Sequence, residues 1–254
     1  MIRPLFEDWA AVEQRLRRAA CIALFLDFDG TLAPLTGDPR QAVMNREARA
    51  ALIRLASNAR VRAWVISGRG RADLQTQMGA IPGLTCLGVH GSDGPSGSSI
   101  PRGVLATVSG ARAELTAHIN GTAGVLVEDK GIAFAVHHRH AREEDASRVH
   151  HLLEQVIRKR EGSLRIVPGE LVWEVLPREV RGKGDAVRRQ WRTHYPEALP
   201  IYVGNDGTDE SAFAAVSAGI TVRVGAARPT RAHYTLRDCG EVARFLEQLE
   251  EGMR

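Results

Sequence analysis

The sequence has 254 residues, of which 44% are hydrophobic and 25% are charged, as in an ordinary globular protein. This length allows one domain with an insertion, or two domains. The formal net charge of +4 suits an anionic substrate. The sequence has no dense Lys/Arg run and no interleaved basic and aromatic residues, which argues against nucleic-acid binding.

The cysteines indicate a reducing environment. Cys21, Cys86 and Cys239 are widely spaced and lack a metal-binding spacing, and we expect Cys21 and Cys86 to lie inside apolar strands. Reduced thiols are typical of a cytoplasmic protein. The first residues carry several charges, so no signal peptide is expected. No run of roughly 18 apolar residues is present, so the sequence predicts no membrane association.

The first predicted strand ends in two acids. It follows an amphipathic helix over residues 5–19 and continues into Asp27-Phe28-Asp29-Gly30-Thr31. An apolar run such as Ala23–Leu26 is typical of a buried parallel strand, and ligands bind at the C-terminal end of such strands. Two carboxylates there repel each other unless a cation or a shared proton offsets their charge. The alternative is a strand followed by an acidic turn.

Two further strands end in polar residues. After a loop over 34–39 and a helix over 43–56, the strand Val61–Ile66 is followed by Ser67-Gly68-Arg69. Ser67 could donate a hydrogen bond to a phosphate oxygen and Arg69 could supply charge, or the segment could be a simple turn. A third strand, over 84–91, ends in His90-Gly91, where His90 could line a pocket or be structural.

A different pattern follows from about residue 104. Residues 92–103 are rich in Gly, Ser and Pro and form a loop or a weak hairpin at a domain junction. A helix over 104–119, a hairpin over 125–138, a helix over 143–160 and a hairpin over 164–176 make an α+β unit. We therefore predict a cap domain at 104–178, inserted into a core made of residues 1–103 and 179–254.

The predicted hairpins of this insertion carry unexpected charges. Glu128, Lys130 and Glu174 lie in them, and Glu174 interrupts an otherwise apolar strand. A carboxylate there requires partners, unless it lies on a solvated face of the sheet. The histidines at 137–140 and 150–151 have a solvated or structural role as their first interpretation, with a soft-metal site as the alternative.

The α/β pattern resumes near residue 181. Lys183 lies between two glycines before a helix, where an ammonium can attract an anion, or it is a junction lysine. The segment is not a Walker A loop, because the upstream glycine and the following Ser/Thr are absent. The strand 201–203 then leads into a second acidic cluster, and the strand 220–224 and a helix over 241–250 follow. The cluster contains Asn205, Asp206 and Asp209.

These strand-end groups, in this chain order, resemble the motifs of the haloacid dehalogenase-like (HAD) phosphohydrolases. The resemblance implies an α/β fold: a Rossmann-like HAD core with a parallel sheet and an inserted α+β type-2 cap. It implies that Asp27 is the nucleophile and Asp29 the general acid/base, with catalytic Lys183. It also implies a Mg²⁺ cofactor and substrate binding by Thr31, Ser67, Gly68, Arg69 and His90.

Within that superfamily the sequence resembles trehalose-6-phosphate phosphatases over roughly residues 21–249. The features specific to this family are Glu128-Asp129-Lys130 and Glu174-Val175-Leu176-Pro177 in the insertion and Thr208-Asp209-Glu210 with Phe213. The resemblance implies that Glu128, Lys130 and Glu174 bind sugar hydroxyls. It also implies a metabolic link to a trehalose-6-phosphate synthase, with no nucleic-acid or membrane partner.

The second acidic cluster departs from the family pattern at Asn205, where the family has an aspartate that binds magnesium. The candidate metal ligands are therefore Asp27, Asp29, Asn205, Asp206 and Asp209. Asparagine offers a neutral oxygen, so we expect weaker magnesium binding than with aspartate at this position.

The expected reaction is hydrolysis of trehalose 6-phosphate through an aspartyl-phosphate. Two alternatives stay open at this point. One is a phosphatase of another sugar phosphate, such as sucrose 6-phosphate or a glycosyl-phosphoglycerate. The other is a weakened regulatory module that binds a sugar phosphate, which rests on Asn205.

Overall fold

The structure is a computed structural model and describes residues 2–36, 41–160, 162–169, 171–226 and 228–253. The chain forms two compact units, which we call the core unit (up to Pro95, and from Gly182 onward) and the inserted unit (Ser96–Arg181). The sequence analysis predicted the boundaries of the insertion at 103/104 and 178/179, whereas the structure places them at 95/96 and 181/182. The roles of the two units in catalysis and specificity stay predictions.

The core unit contains a parallel sheet of seven strands, which confirms the predicted α/β class. Its order is β1-β13-β12-β11-β2-β3-β4, and every neighbouring pair is parallel. The β2 strand lies in the interior and is buried at every residue, as expected for an apolar run covered on both faces. The strands are β1 (Arg3–Pro4), β2 (Ile22–Leu26), β3 (Val61–Ile66), β4 (Leu84–Leu87), β11 (Leu199–Gly204), β12 (Ile220–Val224) and β13 (Tyr234–Leu236).

Helices cover both faces of this sheet. They are α1 (Trp9–Arg18), α2 (Arg46–Ser57), α3 (Arg71–Met78), α6 (Lys183–His194), α7 (Glu210–Ala215) and α8 (Cys239–Glu251). Because side chains alternate along a strand, neighbouring residues join different cores. Leu24 and Val203 join the core that includes α2 and α8, whereas Phe25 and Tyr202 join the core that includes α6 and α7.

The inserted unit has one antiparallel sheet and two helices. The sheet order is β7-β8-β10-β9, with β7 (Leu126–Asp129), β8 (Phe134–His137), β9 (Leu164–Gly169) and β10 (Val172–Pro177). The helices α4 (Arg102–Ile119) and α5 (Glu143–Arg158) pack on one face, through a core that includes Leu115, Phe134 and Leu153. This is the α+β unit predicted from the sequence. The short strands β5 (Asp93–Gly94) and β6 (Gly97–Ser98) lie within 92–103, where the sequence predicts a loop or a weak hairpin.

Several elements differ from the sequence prediction. Helix α2 begins at Arg46 and not at 43, because the Asn45 side chain caps it by accepting hydrogen bonds from two backbone amides. The third strand ends at Leu87 and is followed by a 3-10 turn, Val89–Gly91. Cys21 precedes β2 and does not lie inside it.

Three further sequence expectations concern a loop, the cysteines and membrane-spanning helices. Of the loop predicted at 34–39, residues 37–39 lie outside the described residues. All three cysteines are free thiols. None of the helices in the described part of the chain has the length and apolar character needed to cross a bilayer.

Candidate active site

The end of β2 places Asp27 at the carboxyl edge of the sheet. The Asp27 amide donates to the Val203 carbonyl at 2.9 Å, which continues the pairing of β2 with β11 by one residue. The chain then turns sharply, and the Phe28 carbonyl accepts hydrogen bonds from the next three amides after Gly30. Gly30 has φ +76°, in the region that favours glycine. The turn leaves Asp27 3% exposed, with Asp29 two residues further on.

Lys183 and Asp27 form a buried ion pair. Lys183, the first residue of α6, places its Nζ 2.8 Å from Asp27 Oδ1 and 2.8 Å from Asp209 Oδ1. Burial raises the pKa of Asp27 well above its usual value, and the Lys183 charge partly counteracts this. Burial alone would lower the pKa of Lys183, but the charges of Asp209 and Asp27 outweigh it and raise that pKa. Lys183 is therefore the fixed cation of this cluster.

Asp209 uses both carboxylate oxygens inside the protein. Its Oδ1 accepts from Lys183 and from the Tyr202 hydroxyl at 2.6 Å, and its Oδ2 accepts from the amides of Asn205 and Asp206 at 2.8 and 2.9 Å. Asp209 is fully buried. The assignment of Asp209 as a metal ligand stays a prediction, while these contacts support a positioning role. A carboxylate with this many donors holds the lysine and the loop after β11 in place.

The sequence analysis missed Tyr202. This residue lies in the middle of the apolar strand β11, where a large side chain is expected to join the core. A signal was available, because a tyrosine inside a fully apolar strand requires a partner for its hydroxyl. The acids of the segment that follows the same strand are candidate partners, and the Tyr202 hydroxyl donates to one of them, Asp209.

Asp29 is held by a bidentate arginine. Arg69 Nε and Nη2 each donate to Asp29 at 2.7 Å, and Arg69 Nη1 donates to Asp73 at 2.7 Å. Burial disfavours the charged form of Arg69, but hydrogen bonds and charges from Asp29 and then Asp73 outweigh this and raise the pKa of Arg69. The guanidinium also lies 5.4 Å from the centre of the Phe28 ring. The structure thus connects Arg69 to the carboxylate expected to be the acid/base.

The other residues of the core unit that are predicted to bind substrate follow the ends of β2, β3 and β4. Ser67 and Thr31 are buried, and the Ser67 hydroxyl accepts a hydrogen bond from the Arg69 amide at 3.1 Å. A Cβ on Gly68 would lie 3.0 Å from the His90 ring, so that ring packs against the Gly68 backbone. His90 has φ 55°, a left-handed conformation that is strained for a non-glycine residue. Strain of this kind often occurs at functional sites.

The groups around Asn205 show whether this site suits a divalent cation. The Asn205 side chain lies beside Asp27 Oδ2 and the Asp29 carbonyl, so an amide, a carboxylate and a backbone carbonyl converge. Hard oxygen donors of this kind suit Mg²⁺. No cluster of three His, Cys, Asp or Glu side chains is found in the described ranges. The side chains of Asn205 and Asp27 and the Asp29 carbonyl together offer oxygen atoms that suit magnesium.

Asp206, the remaining candidate ligand, is partly engaged by its own turn. Its Oδ1 accepts from the Thr208 amide at 2.7 Å and from the Thr208 hydroxyl at 2.6 Å. Burial alone would raise the pKa of Asp206, but the Lys183 charge and the Thr208 hydrogen bonds outweigh it and lower that pKa. Asp206 therefore stays ionised beside the cluster.

The inserted unit brings its three predicted polar residues to one face of its sheet. Glu128 lies opposite Ala135 on the neighbouring strand, and Ala135 lies opposite Glu174, so the side chains of Glu128 and Glu174 share a face of the sheet. Lys130 forms an ion pair with Glu174, and Glu128 accepts from His137 Nε2 at 2.8 Å if that nitrogen is protonated. Glu174 thus has the partner that its position in an apolar strand required.

The histidines of this unit have structural contacts. The His138 ring stacks on Trp173 with 3.9 Å between ring centres, and the His150 ring lies 4.7 Å from Trp173. Burial lowers the pKa of His138, and the neighbouring His150 and His137 lower it further. These contacts agree with the structural interpretation of the histidine clusters.

Comparisons with known proteins agree with this fold. The family model described as "Trehalose-phosphatase" matches residues 25–238. "Probable trehalose-phosphate phosphatase 2" of Oryza sativa subsp. japonica is 32% identical over an alignment of 268 residues including gaps, and the alignment covers 92% of this chain and 69% of that protein.

Solved structures give the same result. The trehalose-6-phosphate phosphatase of Aspergillus fumigatus superposes with a TM-score of 0.67 at 28% identity, covering 99% of each chain. A haloacid dehalogenase-like hydrolase from Bacteroides thetaiotaomicron has a TM-score of 0.62 at 14% identity, over 90% of this chain and 99% of that chain, and supports the HAD-like fold. The chain therefore has a HAD-like fold, and its sequence match shows that it belongs to the trehalose-phosphatase family of phosphatase enzymes.

Proposed function

We propose that this enzyme hydrolyses trehalose 6-phosphate to trehalose and phosphate, with magnesium, through an aspartyl-phosphate. The observation that carries the proposal is the buried Asp27–Lys183 pair at the end of an interior strand, in a chain of this family. A carboxylate held against a fixed cation can approach an anionic phosphate with less repulsion. Asp29, two residues further on, supplies the proton transfer.

The attacking group is Asp27. One of its oxygens forms a bond to phosphorus while the bond from phosphorus to the sugar oxygen breaks, and Asp29 donates a proton to that oxygen. Asp29 then removes a proton from the water that hydrolyses the acyl phosphate. Lys183 and Ser67 stabilise the charge on the phosphoryl oxygens, where most of the rate acceleration is expected.

Arg69 has two roles in this proposal. In the structure it occupies both oxygens of Asp29. These charge-assisted hydrogen bonds are made to an ionised carboxylate, which has no proton to donate to the leaving oxygen. Asp29 must therefore move away from Arg69 before it acts as the acid. The released guanidinium is then available to the phosphate, as the sequence analysis expected.

Magnesium would be held by Asp27, the Asp29 carbonyl and Asn205, with Asp206 as a further candidate. When bound, the cation offsets the negative charge between the nucleophile and the phosphate. We also propose that Glu128, Lys130 and Glu174 bind the sugar. Carboxylates accept from hydroxyls and an ammonium donates to them, so this set matches a polyol.

The test is phosphate release from trehalose 6-phosphate, sucrose 6-phosphate and glucose 6-phosphate with magnesium. We expect release from the first alone, and its loss in Asp27→Asn. Asp145→Asn, the same change on α5 of the inserted unit, is the matched control and should keep full activity. Release from another sugar phosphate would keep the mechanism and overturn the substrate. Turnover in Asp27→Asn would overturn the nucleophile.

Two further expectations concern the cell. A cytoplasmic location agrees with three free thiols. A trehalose-6-phosphate synthase as the supplier of substrate follows from the proposed reaction. Localisation of the protein by fractionation would test the first of these expectations.

A further inference from the structure

Asn205 has a fixed backbone and a side chain that can turn. Its backbone N–H donates to Asp209 Oδ2 at 2.8 Å, and its backbone carbonyl accepts from Arg228 Nη2 at 2.7 Å. The side chain lies against Gly30, where a Cβ would approach the amide nitrogen to 2.2 Å. The backbone is therefore held from both sides, and rotation of the terminal amide about its last bond exchanges Oδ1 and Nδ2 with little other movement.

The two orientations of this amide make opposite contacts. With the nitrogen inward, it donates to Asp27 Oδ2 at 3.0 Å and to the Asp29 carbonyl at 2.7 Å. With the oxygen inward, three oxygens face one another, and Thr31 Oγ1 is 3.4 Å from Asn205 Oδ1. Facing acceptors repel each other unless a cation lies between them, so the first orientation suits a metal-free site and the second a metal-bound one.

We propose that Asn205 is a rotating ligand, whose amide nitrogen bridges Asp27 and the Asp29 carbonyl without metal and whose oxygen turns inward when a divalent cation binds. The inference rests on the magnesium-assisted reaction proposed above. An aspartate at this position could not donate either hydrogen bond. The metal-free site of this chain is therefore already satisfied, and an arriving cation must displace two hydrogen bonds as well as bind a neutral oxygen.

The side-chain amide signals in NMR test the rotation directly. The sequence contains four asparagines, Asn45, Asn58, Asn120 and Asn205. Selective ¹⁵N-asparagine labelling of the full chain therefore gives four NH₂ pairs, and the pair lost in Asn205→Asp identifies the site. We expect the Asn205 pair to be shifted and protected from exchange without metal. Mg²⁺ should move this pair and reduce its protection, while the other three pairs stay in place.

Calorimetry and thermal unfolding give a second readout. Without metal, Asn205→Asp places a carboxylate against Asp27, so it should lower Tm relative to the parent. With Mg²⁺ the same variant should gain more in Tm than the parent does, and bind the cation about tenfold more tightly or better. Asn120→Asp is the matched control, because Asn120 is exposed at the end of α4. It should leave the metal response unchanged.

Each failure has a distinct meaning. An Asn205 pair that resembles exposed Asn120 without metal, or that stays in place at saturating Mg²⁺, overturns the rotation. Equal or tighter Mg²⁺ binding by the parent than by Asn205→Asp also overturns it, as does a lack of any Mg²⁺ response. These readouts do not depend on turnover. Rotation without phosphate release would instead reject the proposed function, and release without rotation would keep the function and reject this inference.

Discussion

The hydroxyl of Tyr202 provides the sharpest test of the buried cluster. Tyr202→Phe removes one hydroxyl and leaves the ring, which packs edge-on against Phe213. The lost hydrogen bond is 2.6 Å long and is made to a carboxylate that is fully buried. Hydrogen bonds to charged groups contribute about 1.5–3 kcal/mol. Because Asp209 keeps Lys183 on the same oxygen, we expect a loss near the middle of this range, about 2 kcal/mol.

This loss should be visible as a fall in Tm. For a chain of this size, about 2 kcal/mol corresponds to a decrease of about 4–8 °C. Tyr234→Phe is the matched control, because the Tyr234 hydroxyl donates at 3.1 Å to Asp8, whose side chain is 27% exposed. A bond to a solvated carboxylate should contribute less than about 1 kcal/mol. Thermal unfolding of the parent and both variants measures the change in Tm, and urea unfolding measures the change in the free energy of unfolding.

The same variant should affect catalysis through Lys183. Without the tyrosine, Asp209 can shift, and Lys183 shifts with it relative to Asp27. We therefore expect kcat to fall severalfold while KM changes little, because the sugar contacts are untouched. A stability loss no greater than that of Tyr234→Phe, together with unchanged kcat, would contradict the positioning role of Asp209.

Three further predictions address the other contacts. Arg69→Lys keeps the charge but loses the bidentate contact with Asp29, so kcat should fall about tenfold or more and the pH–rate profile should move. A pH–rate profile identical to the parent's would reject the role of Arg69 in holding Asp29. Glu174→Gln breaks the ion pair with Lys130 and should raise KM for trehalose 6-phosphate about tenfold at nearly constant kcat, and an unchanged KM would remove this face from the sugar site. Burial and neighbouring histidines lower the pKa of His138 below 6.5, so the unfolded chain binds its proton first as the pH falls. Stability from the neutral form is present above pH 6.5 and lost below it; His138→Phe should therefore reduce the decrease in Tm between about pH 7.5 and 5.5, and an unchanged decrease would show that other groups cause it.

The sheet and its strand ends could be predicted because their signals are local. The apolar runs at β2 and β3 matched the structure to within a residue, and each was followed by the polar groups now seen at one edge. The missed elements are short or weakly patterned. In α3 only Leu74 and Met78 are buried, so the helical period is hard to detect, and β13 has three residues.

The contacts between predicted residues could not be derived from the sequence. The prediction that Arg69 supplies charge to the substrate stays a prediction, and the structure adds its contact with Asp29. A long flexible side chain can reach several acceptors, and the sequence does not indicate which of them it contacts. The pairing of Tyr202 with Asp209 likewise depends on rotamers at the end of one strand.

The strand order has a consequence for synthesis of the chain on the ribosome. The interior strand β2 pairs with β3 on one side and with β11 on the other, and β11 ends at Gly204. Until β11 has been made, one edge of a wholly apolar strand has no partner. Exposed edges of this kind promote aggregation. A ribosome that stalls between β4 and β11 therefore holds a nascent chain in which one edge of β2 is unpaired, although the whole inserted unit can already have been translated.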